Sequence, residues 1–242
     1  MSGCKNKFLA RVEDGLTRRY YALFKKNLVF SNTNFKVLMF HDIDGHDEYS
    51  VSKNDFTLII NALISKGCGF IDIDTLSNCK NIKELNNKVL ITFDDGFSST
   101  FSFAYPFLKE KNIPFCVFVT ISLIDQSGYL KSEEVKELSN SGICTIGSHF
   151  FNHVMSRFLD SKTVFEEANN SFEYLKNNFG VDKKYIALPY GSFYSCSRKD
   201  LKIIKKTNPL CIFTTKPTFV KKFKRFNIPR IDGSKILINE KI

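Results

Sequence analysis

Apolar residues along this chain follow two alternating rhythms. Short, nearly continuous runs rich in Val, Ile, Phe and Leu recur at 36–40, 69–73, 88–93, 115–120, 143–147, 185–188, 211–214 and 227–231. Runs of that length and composition read as strands buried on both faces. Between them the apolar positions move to helical spacing. Over 52–66 they are Phe56, Ile59, Ile60, Leu63 and Ile64, closed by Gly67; over 161–179 they are Phe165, Ala168, Phe172 and Leu175, closed by Gly180. A glycine just past the last periodic residue is a helix stop. Val135 and Leu138 mark a helix over 132–141, and 98–111 and 197–206 complete the set. Strand followed by helix along the whole chain predicts parallel pairing and an α/β fold, with an incomplete barrel favoured over an open sheet. Residues 1–34 read as an N-terminal extension and residues 35–242 as one domain.

Bulk composition narrows this picture only modestly. A chain of 242 residues with 43% apolar and 25% charged residues suits one globular domain with a substantial core. The seven cysteines form no CxxC pair, so a reducing compartment is expected. No run approaches the roughly 20 apolar residues needed to span a bilayer, and the first 30 residues lack the uninterrupted apolar core of a secretory signal. The expectation is a cytoplasmic protein, with peripheral attachment at the inner membrane surface as a variant. Net charge is +10, concentrated in 216–235 and around Arg18, Arg19, Lys25 and Lys26. Such clusters suit anionic lipid, acidic glycan or diphosphate. No zinc finger, RRM signature or other nucleic-acid module is present, so no nucleic-acid partner is expected.

Candidate chemistry gathers at the ends of the predicted strands. Asp94-Asp95-Gly96 follows the run 88–93, His149 follows 143–147, Pro189-Tyr190 follows 185–188, and His41 follows 36–40. In a parallel barrel these ends share one rim, where active sites lie. Two imidazoles four residues apart, His149 and His153, plus one carboxylate form a common three-ligand metal set with an open position. Adjacent strand residues point apart, so one of the two aspartates can bind a metal while the other stands beside its water. Alone, Asp-Asp-Gly would read as a turn with an Asx hydrogen bond; the histidines change that reading. Only four histidines exist, the other being His46.

Thr92-Phe93-Asp94-Asp95-Gly96 together with Ser148-His149-x-x-x-His153 resembles the polysaccharide deacetylase (NodB-homology) family, carbohydrate esterase family four, over residues 37–231. The resemblance implies a distorted, incomplete (β/α) barrel and metal-dependent removal of N-acetyl groups from sugars. By position, Asp95, His149 and His153 would hold one divalent metal, zinc first, with Co2+, Ni2+ or Mn2+ as alternatives, and Asp94 would be the general base. Leu188-Pro189-Tyr190-Gly191 looks like the family's third motif, in which the N–H at Tyr190 holds the oxyanion between Pro189 and Gly191. The family's arginine before that proline is missing, the position being Ala187; Arg230 is the candidate substitute for orienting the base. No histidine follows His153, so the general acid falls to His41. Both departures agree with the branch resembling poly-N-acetylglucosamine deacetylases. Asp42 either orients His41 or serves its own loop, and His46 is a rim or bystander residue. With no Trp, Tyr20, Tyr190 and Tyr194 are candidates to stack on sugar. The expected substrate is an N-acetylated sugar in a glycan or a lipid-linked or nucleotide-linked precursor. The alternatives are an amidase or O-acetyl esterase on a non-polymeric substrate, and a non-catalytic glycan-binding barrel.

Overall fold

Strand β1 (Lys36–Phe40) is buried along its whole length, as are β4 (Phe115–Val119), β6 (Tyr185–Ala187) and β7 (Cys211–Phe213). This is the burial that continuous apolar runs demand, one face turned to the barrel interior and the other to helices. The computed structural model describes residues 34–236, apart from 47, 193, 216–217, 219 and 221–223. With β2 (Gly69–Phe70), β3 (Lys88–Asp95), β5 (Cys144–Ser148) and β8 (Ile231–Asp232), the strands form one sheet in the order β7-β6-β5-β4-β3-β1-β8, with β2 beside β3. Every strand pairing is parallel. Alternation sorts the side chains: Val37, Leu90, Phe118, Tyr185 and Phe213 fill the interior, whereas Leu38, Ile91, Phe93 and Val117 pack outward beneath helices.

The two ends of the sheet meet at a broken strand. Ile228 bridges Phe213 of β7, while Ile231 and Asp232 pair with Leu38 and Met39 of β1. Between them Pro229 has no N–H to donate, so the expected strand 227–231 contracts to one bridge plus two-residue β8. The result is the distorted, incomplete (β/α) barrel, with Arg230 in its seam.

The helices follow the predicted spacing closely. α1 (Lys53–Ser65) starts at Ser52, whose side chain accepts from Asp55 N. α4 (Ser132–Asn140), α5 (Ser161–Phe179) and α6 (Arg198–Ile204) lie where expected. Two expectations need correction. The apolar run 69–73 reads as a strand, but Asp72 accepts from Thr75 N at 2.6 Å and starts α2 (Ile73–Asn78); a side-chain cap ends the strand early. The helix over 98–111 opens as a π turn at Thr100–Ala104 before α3 (Tyr105–Glu110). Pro106 near the start of α3 supplies no N–H for an α-type bond, and the widened turn accommodates it. Among the described residues no helix is long and apolar enough to cross a membrane. The basic cluster at 18–26, Tyr20 and nearly all of the expected extension 1–34 lie outside the described residues, as does part of the cluster at 216–235.

Candidate metal and catalytic site

Parity explains Asp94. It continues the inward series Leu90 and Thr92 on β3, stands opposite Phe118 of β4, and is 1% exposed. Asp95 would by the same alternation point outward. Its φ of 68°, followed by 85° at Gly96, bends the chain off the strand axis. Both carboxylates consequently reach one place: Asp95 Oδ1 lies 3.4 Å and Asp94 Oδ2 3.9 Å from Nε2 of His149.

His149 leaves the end of β5 with its own N–H on Val119 O at 2.8 Å. Its Nδ1 sits 3.0 Å from Ala187 O, a carbonyl that can only accept, so that nitrogen carries the proton and Nε2 presents a lone pair. Burial pushes the imidazole down to about 4, against the pull of Asp94 and Asp95, leaving it neutral at pH 7. His153, in the left-handed region at φ 51°, brings Nε2 to 3.1 Å from Asp95 Oδ1. The ligand atoms of Asp95, His149 and His153 all lie within 4.8 Å of one another. Asp95 Oδ1 is buried yet accepts no hydrogen bond, although two ring nitrogens approach it. One buried carboxylate oxygen with two ring nitrogens converging on it fits a divalent cation coordinated by one carboxylate and two imidazoles.

Asp94 is occupied differently. Arg230 grips it from the seam with two hydrogen bonds of 2.6 Å, Nη1 to Oδ1 and Nη2 to Oδ2. The guanidinium is 0% exposed; Nε donates to Thr214 O, Nη1 also to Thr92 Oγ1, and its face lies over the Phe118 ring. Burial by itself would raise the Asp94 pKa; Arg230, with His149 and His41 behind it, overcomes this and holds the carboxyl below its ordinary range.

His41 lies one position beyond Phe40, which pairs with Phe93, and so stands across from Asp94. Its Nδ1 is buried with no hydrogen-bond partner, and its ring rests on Tyr49 at 5.5 Å. No hydrogen bond joins it to Asp42 among the described residues. That carboxylate accepts from Ser99 Oγ and Ile43 N, tying the loop after β1 to the turn after β3. His46 is exposed. Tyr190 has φ 61°, is 42% exposed, and its ring lies tilted against the His153 ring at 4.8 Å between centroids. Its carbonyl accepts from Thr215 Oγ1, while its N–H donates to no group among the described residues. Tyr194 is also exposed, on the loop that follows.

The polysaccharide deacetylase family model matches residues 82–208, a span that takes in Asp94, Asp95, His149, His153 and Tyr190. This chain belongs to the polysaccharide deacetylase family. Poly-beta-1,6-N-acetyl-D-glucosamine N-deacetylase of Staphylococcus aureus is 28% identical over 199 residues, covering 76% of this chain and 67% of its own length. YxkH of Bacillus subtilis, itself named for the family, is 28% identical over 183 residues, 75% of this chain and 64% of its own. The chain thus spans about two thirds of the length of these relatives. The solved structure of IcaB from Ammonifex degensii superposes with a TM-score of 0.75 at 25% identity, over 82% of this chain and 91% of that one. The Streptococcus pyogenes deacetylase PplD, solved with acetate, shares the fold at a TM-score of 0.70 and 21% identity, over 83% of this chain and 92% of its own. In this polysaccharide deacetylase, His41 and Arg230 both lie outside the matched span 82–208, yet the barrel brings them to Asp94.

Two contributors escape a motif reading. The carbonyl of Ala187 carries no signal beyond strand character. Glu167 does carry one: it is a charged residue among the buried positions Val164, Ala168, Ser171, Phe172 and Leu175 of α5.

Proposed function

We propose that this polysaccharide deacetylase is a metal-dependent hydrolase that removes the N-acetyl group from an amino sugar in a glycan or glycan precursor. The observation that carries the reading is the convergence of Asp95, His149 and His153 beside an Asp94 locked to Arg230. A divalent ion held by those three ligands, zinc first, supplies Lewis acidity at the acetamide carbonyl and acidifies water. Asp94, kept ionised by Arg230, takes the proton of the attacking water. The open N–H of Tyr190 donates to the oxyanion of the tetrahedral intermediate, and Pro189 and Gly191 shape that turn. His41 gives a proton to the departing amine, so acetate and the free amino sugar leave together. A non-catalytic barrel would lack part of this set, and no part is missing.

The names of the Staphylococcus aureus relatives make β-1,6-linked N-acetylglucosamine oligomers the first substrate to assay. The overall charge of +10 keeps lipid-linked and nucleotide-linked N-acetyl sugars, at the inner membrane surface or in the cytoplasm, in the panel. Acetate release should vanish with chelator and return with Zn2+. Asp94→Asn should lower kcat by about 10²- to 10⁴-fold. Full activity without metal would overturn the mechanism, and a wild-type rate in Asp94→Asn would overturn the base.

A further inference from the structure

We propose that Glu167 is a positioning residue for the metal site: its carboxylate, rising from α5, holds the turn 150–152 so that His153 meets His149 and Asp95. The inference rests on reading those three residues as metal ligands. Glu167 Oε2 accepts from two successive backbone N–H groups, Phe151 at 3.1 Å and Asn152 at 2.9 Å, while Oε1 accepts from Asn152 Nδ2 at 2.7 Å. Glu167 is only 8% exposed, and a buried carboxylate is tolerated where donors saturate it.

The turn needs such a hold. Phe150 has φ 65° and His153 φ 51°, left-handed conformations that non-glycine residues keep only when the surroundings over-determine them. From the opposite side, Ile121 N and Ser122 N donate to the carbonyls of Phe150 and Phe151 at 3.3 and 2.9 Å. Glu167 accepts from the N–H side of the same turn, so the turn is clamped between the loop after β4 and α5. The two imidazoles depend on this clamp unequally. His149 is fixed by its strand and by Ala187 O. His153 makes no hydrogen bond to a group behind it among the described residues, so the backbone of the turn sets where its Nε2 falls. Glu167 therefore acts through His153 and touches no reacting atom.

The test is zinc affinity of the full chain, measured by competition with a chromophoric chelator, alongside hydrogen exchange of the metal-free protein. Glu167→Ala should weaken zinc binding about 10- to 100-fold, the usual effect of losing an outer partner of a metal site, and should speed exchange at the Phe151 and Asn152 amides. Glu167→Gln keeps an acceptor for those amides and should recover most of the affinity. Glu167→Asp draws the carboxylate back by one methylene and should resemble Glu167→Ala, which keeps the test alive if the alanine variant does not fold. Val164→Ala, on the same buried face of α5, should lower stability without changing zinc affinity. Wild-type affinity in the folded Glu167→Ala and Glu167→Asp variants, or equal weakening in Val164→Ala, would overturn the proposal. A wild-type protein that binds no zinc would instead sink the metal reading and this inference with it.

Discussion

Asp94 and Arg230 form a fully buried, bidentate ion pair, and each is costly to bury without the other. Arg230→Met should lower unfolding free energy by about 3–5 kcal/mol, as when one partner of a buried pair is removed, while the double variant Arg230→Met/Asp94→Asn should lose less than the sum of the single losses. Denaturant titration measures both. The pH profile tests the pair's other role. In the folded protein Asp94 is depressed below its ordinary 3.8, so its stabilisation is present above that value and is lost as pH falls through the lower folded value. Without Arg230 burial dominates, and the acid limb of kcat/KM should move to higher pH. His149 has the same sign by another route: its pKa falls from 6.5 to about 4 on folding. The unfolded chain binds a proton first, so the metal-free protein should lose roughly 3 kcal/mol as pH drops from 6.5 to 4. Thermal melts of chelated protein across that range check it, and His149→Asn should flatten the slope.

Among the elements, the short turns after the strands carry the site, and their geometry was the hardest part to read. The helices were legible because their apolar spacing and caps act locally; α5 matches the expected 161–179 from end to end. The left-handed backbone at Asp95, Phe150, His153 and Tyr190 was not, since none of these is glycine. Beside Gly96 at φ 85°, Gly191 gave a hint. It has φ 53°, and a Cβ there would lie 2.5 Å from Thr215 Cγ2 and 2.6 Å from Thr215 N. Gly191→Ala must therefore push the turn away from Thr215, whose hydroxyl and N–H hold the carbonyls of Tyr190 and Gly191. Expected effects are a lower melting temperature, with about 1–3 kcal/mol of strain, and a kcat that falls more than KM changes, because the displaced group is the Tyr190 N–H. Steady-state kinetics beside a thermal melt would show both, and an unchanged kcat would argue against that N–H.

For the whole molecule, the seam couples closure to chemistry. The segment that bridges β7 at Ile228 and joins β1 at Ile231 is also the one that carries Arg230 inward. Ile231 is 1% exposed, and Ile231→Ala should cost about 2–5 kcal/mol. It should also release Arg230 from Asp94. Hydrogen exchange should then quicken in β1 and β8 together while α5 is unaffected, and the acid limb of the rate profile should shift as in Arg230→Met. Local loss at β8 alone would mean that the seam does not hold Asp94.

The fold class, the strand and helix order and the presence of carboxylates and imidazoles at the strand ends were written in the sequence, because periodicity, caps and residue type are local properties of the chain. In the sequence Arg230 is a candidate only, standing 136 residues from Asp94; its arrival depends on a barrel seam that no local pattern specifies. The same holds for Glu167 and for the Ala187 carbonyl behind His149. Tertiary structure decided which groups share the rim: closing the barrel sets distant residues within hydrogen-bond reach, and burial there raises the cost of leaving any of them unpaired.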